Sequence, residues 1–228
     1  MRLSPWEEGI FRRRPNRFLA EVEMEGESLQ AHVPDPGRLE ELLLPGCAVR
    51  LRKVGGRSRK TGWDLIGVES PGGWVNIDSR LPNLLFADSV SRGLLLEFSS
   101  YSRIRSEYPF GNSILDFRLD GEGGSCLVEV KGCTLVRNGL ALFPDAPTER
   151  GARHLQELRR ALTDGFRSCL VVIVKRADAE AFAPCPEIDP RFAEALREAV
   201  ASGVEVIPYL APWRGEDIEI VSRLLLRP

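Results

Sequence analysis

No part of this sequence is apolar for long. The longest unbroken apolar run is Cys169 to Val174, whereas a membrane-spanning helix needs about 20 such residues. The opening MRLSPWEEGIFRRR also lacks the apolar core of a secretory leader. These absences exclude a helical membrane protein, and a cytoplasmic chain with no membrane partner is expected. Histidine is scarce, at 2, and the 5 cysteines contain no C-x-x-C pair, which argues against a zinc site or a disulfide framework. Cys126 and Cys169 lie instead in apolar, strand-like runs, where a reduced thiol behaves as a small hydrophobe. Net charge is nearly absent too, at -2. Any contact with nucleic acid must therefore come from a local patch rather than from bulk charge.

What is present is a change of pattern within 228 residues, a length that suits one large core or two small ones. Up to about Asp78 the chain reads as short strands parted by turns: FLAEVEM, LQAHVP, AVRLRKV, WDLIGVES and WVNIDS. GRLEELL among them is predicted as a short helix. Close-spaced strands with one helical interruption predict a five-stranded OB-like barrel over residues 1–79. From residue 80 to 228 an α/β domain is expected. A helix from about Leu84 stops at Gly93; SRIRSEYPF, SILDFRLD and CLVEVKG form a meander through Gly111-Asn112 and the GEGG turn. Asn138-Gly139 marks a further hairpin. Helices near 148–162 and 190–201 then alternate with the buried strands CLVVIV and VEVIPYL.

The meander carries the chemistry. In SILDF, Asp116 opposes the apolar face of Leu115 and Phe117; in CLVEVK, Glu129 and Lys131 share one strand face. If the two strands pair with their apolar faces on one core, Asp116 joins Glu129 and Lys131. Two carboxylates and an ammonium suit metal-assisted phosphodiester hydrolysis, with Mg²⁺ or Mn²⁺ on hard oxygen ligands and the lysine placing or deprotonating water. Glu97 is a further candidate ligand, so Glu97, Asp116 and Glu129 form the expected metal set, with Lys131 and His154 as catalytic partners. The same residues also fit a solvated strand face with Asp116 as cross-strand neighbour, and His154 fits a boundary histidine. Arg150 and His154 lie four apart on a helix that Asp145 or Thr148 is positioned to cap.

Six basic residues and no acid fall between Leu42 and Trp63: Arg50, Arg52, Lys53, Arg57, Arg59 and Lys60. A second cluster holds Arg12, Arg13, Arg14 and Arg17. With Phe11, Phe18, Trp63 and Trp74 nearby as stacking platforms, Arg13, Arg17, Arg50, Arg52, Lys53, Arg57, Arg59, Lys60 and Arg150 are the expected nucleic-acid contacts; the same pattern equally fits aromatics in the core and charges that keep a small barrel soluble.

Several segments in order then resemble one family: RRRPNRFLAEVEMEGESLQAHVPDPGRLEELLLPG, RKTGWDLIGVE, LPNLLFADSV, LDFRLD with VEVKGCTLV, and the most specific, ALFPDAPTERGARHLQEL. These are similar to the sugar fermentation stimulation protein A family over nearly the whole chain. The resemblance implies an N-terminal OB-fold, a C-terminal PD-(D/E)xK nuclease-like domain, DNA as the partner, and a link to sugar fermentation genes. It places Glu97, Asp116, Glu129 and Lys131 in the nuclease-like site, with Thr148, Glu149, Arg150 and His154 on the adjoining helix. A DNA-binding protein with metal-dependent nuclease chemistry is expected. The alternative is a non-enzymatic DNA-binding regulator of sugar metabolism genes.

Overall fold

The computed structural model describes residues 1–55 and 60–227. Six strands come first: β1 (Glu7–Asn16), β2 (Leu19–Met24), β3 (Glu27–His32), β4 (Ala48–Lys53), β5 (Trp63–Ser70) and β6 (Gly73–Asn76). Their alternating apolar residues, among them Phe11, Val22, Ala31, Leu51 and Leu65, point inward and form one core. β1, β2 and β3 make an antiparallel meander, and β4 joins β1 to β5. A parallel bridge from His32 to Asp64 closes β3 on β5. The result is a closed five-stranded barrel of OB topology, with β6 extending β5.

The helix predicted for GRLEELL does not form. The chain makes one turn there, in which Leu42 and Leu43 N–H both donate to the Leu39 carbonyl. Leu39 is in the left-handed region at φ 52°, which interrupts a right-handed helix. Burial of Leu39, Leu42 and Leu43 in the barrel core decides the conformation, because a helix this short has little stability of its own.

The second half contains α1 (Leu81–Ser91), β7 (Tyr101–Phe110), β8 (Ser113–Gly121), β9 (Gly124–Cys133), β10 (Leu135–Arg137), β11 (Leu140–Phe143) and α2 (Glu149–Thr163). β12 (Arg167–Val174), β13 (Ala181–Pro184), α3 (Pro190–Ser202) and β14 (Glu205–Leu210) follow. α1 starts earlier than its sequence pattern, at Leu81, with Pro82 in the first turn, where its missing N–H costs nothing. The main sheet runs β14-β12-β9-β8-β7. Its β7–β9 part is the antiparallel meander read from the turns, and β12 and β14 add in parallel. Phe86 and Phe98 cover one face against Phe117 and Val128. The other face takes Leu155 and Leu158 of α2 and Leu196 of α3 against Leu127, Leu170 and Val172. β13, which the sequence did not reveal, pairs in parallel with β11 in a smaller sheet.

After β14 the chain returns to the barrel. Trp213 meets Trp6 edge-on at 5.3 Å and lies 6.3 Å from Trp74. Gly67 of β5 is required here, since a Cβ would stand 2.5 Å from the Trp213 ring. The Arg50 guanidinium fills the box, 4.3 Å from the Trp6 centroid, 3.9 Å from Trp74 and 4.8 Å from Trp213. Arg50 is thus a clamp between the halves and not the expected nucleic-acid contact, and Trp74 is not a stacking platform. Phe11 is core. No helix among the described residues is long and apolar enough to cross a membrane.

Candidate nuclease-like site

β8 and β9 pair with Phe117 opposite Val128 and Leu119 opposite Cys126. This register puts Phe117 and Leu119 with Cys126, Val128 and Val130 in one core, whereas Leu115, expected on the same face, packs in the opposite core with Leu127; Asp116 is left beside Glu129 and Lys131. Asp116 Oδ2 accepts from the Val130 N–H at 2.8 Å, and its Oδ1 accepts from Asn83 Nδ2 at 2.8 Å. Thus α1 contributes an amide to the site. Glu129 is buried. Its Oε1 contacts both Lys131 Nζ and His154 Nδ1, while Oε2 is buried with no hydrogen-bond partner among the described residues.

The two carboxyls titrate in opposite directions. Burial, reinforced by the charge of Glu129, raises the Asp116 pKa above the ordinary aspartate value. Burial also opposes ionisation of Glu129, but hydrogen bonds and charge from His154 and Lys131 prevail and lower its pKa. Arg150 Nε donates to His154 Nε2 at 3.3 Å. An imidazole that accepts at Nε2 carries its proton at Nδ1, so that proton faces Glu129.

α2 places His154 because its start is fixed twice. Thr148 Oγ1 accepts from the Gly151 N–H at 3.0 Å, which makes Thr148 rather than Asp145 the capping residue. Asp189 accepts from the Thr148 N–H at 2.8 Å and from the Phe192 N–H at 2.9 Å, so one carboxylate joins the N-termini of α2 and α3.

The Asp116 and Glu129 carboxylates and Lys131 line a cavity of about 490 Å³ at the junction of the halves. With them, Arg17, Asp35 and Gly37 come from the barrel, Asp145 from the approach to α2 and Arg150 from its first turn. Lys175 lines it as well, just past the C-terminal end of β12. Asn83, Asp35, Asp145 and Lys175 were not expected in the site. Lys175 had a usable signal: a charged residue ending a buried parallel strand, where α/β sheets bind ligands.

Glu97 does not join the expected ligand set. It lies on a 3-10 turn, Leu96–Phe98, with its Oε1 3.7 Å from Arg223. Its carbonyl accepts from Arg167 at 2.6 Å. Arg167 begins β12 and the cavity lies at that strand's other end, so about 20 Å of strand separates them. Among the described residues no three His, Cys, Asp or Glu side chains gather as a ready metal site.

The basic residues divide. Arg17 and Arg150 line the cavity. Lys60 borders a neighbouring hollow with Phe18 and His32, whose rings stack at 6.4 Å. Lys53 lies 5.8 Å from the Trp63 ring. Arg13 pairs with Glu21 at 2.6 Å, and Arg52 with Asp78 at 3.0 Å. Arg57 and Arg59 lie outside the described residues.

An OB barrel joined to a mixed α/β sheet whose meander presents Asp116 opposite a Glu129-x-Lys131 strand defines a two-domain protein of OB and α/β architecture. Two family models match in sequence order: the SfsA N-terminal OB domain over residues 13–77, and the sugar fermentation stimulation protein RE domain over residues 80–217. A sugar fermentation stimulation protein homolog from Moorella thermoacetica is 48% identical over 219 residues, covering 95% of this chain and 94% of that protein. The homolog from Methanothermobacter thermautotrophicus is 47% identical over 201 residues, covering 88% and 84%. The solved structure of Pyrococcus furiosus SfsA in complex with Ca²⁺ superposes with a TM-score of 0.93 at 32% identity, covering 100% of this chain and 98% of that one. The chain belongs to the sugar fermentation stimulation protein family.

Proposed function

We propose that this protein is a divalent-metal-dependent phosphodiesterase acting on DNA, with the barrel, residues 1–79, holding the strand and residues 80–228 carrying the chemistry. The observation that carries this reading is the meeting of Asp116, Glu129 and Lys131 in one cavity, with Glu129 Oε2 buried and without a hydrogen-bond partner among the described residues. Asp116 and Glu129 fit Mg²⁺ or Mn²⁺, since such ions are commonly held by one or two carboxylates completed by water and substrate phosphate oxygens. The Ca²⁺ in the Pyrococcus furiosus relative supports a hard-cation site. Such an ion supplies charge stabilisation at the phosphate when bound. Lys131 places the attacking water and offers a proton acceptor when neutral. Arg150 and Arg17 hold the flanking phosphates. His154 is a positioning residue: it fixes the Glu129 carboxylate and keeps it ionised. The five unpaired thiols support a cytoplasmic location.

A second reading has one observation in its favour. Glu129 Oε1 already faces two basic groups, as in a closed ion-pair cluster that keeps the fold of a nuclease without its reaction. On that reading the protein is a non-enzymatic DNA-binding regulator. Calorimetric titration with Mn²⁺, in the presence of a DNA oligomer, separates the two. The proposal predicts saturable binding in the parent protein that is lost in Asp116→Asn; absence of binding in the parent favours the regulator.

A further inference from the structure

The cavity carries a second set of polar groups that the phosphodiester chemistry leaves unused. Lys175 is 1% exposed, lines the cavity, and its ammonium makes no hydrogen bond or ion pair with any described residue. The Asp145 carboxylate likewise makes no hydrogen bond or close ion pair among the described residues, although the charges of Arg14 and Lys175 act on it. Asp35 uses one oxygen to accept from the Gly37 N–H at 2.7 Å and has the other free. Both carboxylates lie against Gly37, where a Cβ would collide with each. The ammonium lies over Gly132, with Nζ 3.6 Å from a Cβ built there, one residue beyond Lys131.

This set is built rather than accidental. Arg14 donates to the carbonyls of Asp35 at 3.0 Å, Gly37 at 2.9 Å and Arg38 at 2.6 Å, which fixes the turn that presents Asp35. Desolvation lowers the Lys175 pKa, while the charges of Asp35, Asp78 and Asp145 oppose the shift. Leaving a buried charge unpaired is costly unless something completes its contacts.

The set offers acceptors from two carboxylates and donors from one ammonium. Two acids flank the one ammonium, and the nearby Arg14 guanidinium is spent on backbone carbonyls, which disfavours a phosphate here. A neutral planar edge that presents hydrogen-bond donors beside a carbonyl completes all three groups. Guanine has that edge, with N1–H and N2–H₂ facing acceptors and O6 facing a donor. The cavity volume falls in the range that encloses a small ligand. We infer that Asp35, Asp145 and Lys175 form a base-recognition subsite for one unpaired guanine next to the phosphate held at Asp116, Glu129 and Lys131. This rests on reading the cavity as a nucleic-acid site, and it implies a single-stranded or flipped nucleotide, because a base inside a duplex cannot enter a pocket.

The test is calorimetric titration of the full chain with dGMP, dCMP, dAMP and dTMP in EDTA, so that no cleavage or metal binding is required. The parent protein is expected to bind dGMP about tenfold or more tightly than dAMP or dTMP, with the preference lost in Lys175→Met and in Asp145→Asn. Lys175→Met removes the charge at similar volume, and Asp145→Asn alters a half-buried loop residue, so the second variant stands if the first fails to fold. Equal binding of all four, binding of none, or a preference unmoved in a folded variant overturns the inference. A chain that prefers dGMP but cuts no DNA keeps the subsite and removes the nuclease reading; a chain that cuts DNA with no base preference does the reverse.

Discussion

Asp116 and Glu129 are neighbours with opposite electrostatics, and this separates function from stability at the level of single residues. Because the folded state raises the Asp116 pKa, its charge is unfavourable at neutral pH, and folding stability from this group improves as pH falls through the raised value. Asp116→Asn is therefore expected to melt at the parent temperature or above near pH 7, with the two curves converging towards about pH 4. An Asn can still accept from Val130 and donate to a reoriented Asn83 amide. Glu129 has the reverse sign: its lowered pKa contributes stability above the ordinary glutamate range that is lost as pH falls through the folded value. Glu129→Ala strands Lys131 and His154 and is expected to cost about 3 kcal/mol in chemical denaturation. A melt in which Asp116→Asn loses more than Glu129→Ala contradicts this assignment. The meeting of Asp116, Glu129 and Lys131 was legible from the hairpin that pairs their strands, although the same alternation misplaced Leu115, which packs in the opposite core from Phe117. Glu97 was misplaced because nothing in its sequence neighbourhood shows at which end of the sheet its turn lies.

At the scale of elements, the barrel and the meander were legible for the same reason: pleat alternation and Gly-Asn or Gly-Gly turns are local signals. The GRLEELL turn, β13 and the returning Trp213 segment were not, since each takes its conformation from a distant partner. Arg50 shows the consequence. Its six-residue basic neighbourhood reads as a nucleic-acid loop, yet three tryptophans from separate parts of the chain enclose it. Arg50→Ala is expected to lose about 2 kcal/mol through desolvated cation–π contacts. Gly67→Ala is expected to lose about 1–3 kcal/mol by pushing Trp213 from β5. Both are read by urea denaturation with tryptophan fluorescence. An Arg50→Ala protein of unchanged stability and weakened DNA binding would return Arg50 to the nucleic-acid surface.

For the whole molecule, the cavity lies where barrel and α/β sheet meet, so neither half holds a complete site. Binding that depends on Arg17 from one half and Arg150 from the other should be salt-sensitive. Each substitution to alanine is expected to reduce the slope of log affinity against log salt by about one. Fluorescence anisotropy with a labelled oligonucleotide measures this, and an unchanged slope in both variants would remove the cavity from the binding path. Recognition of the family came from long ordered segments such as FPDAPTERG. Only the folded chain shows what that segment does: Asp145 faces the cavity, Thr148 caps α2, and Arg150 and His154 reach towards Glu129.

The most direct measurement is incubation of end-labelled single-stranded and duplex DNA with the parent protein and with Lys131→Ala, in Mg²⁺, in Mn²⁺ and in EDTA. The account predicts strand scission that requires the metal and is lost in the variant. DNA retained by the parent but uncut under every condition would contradict it and leave a binding protein on a nuclease scaffold.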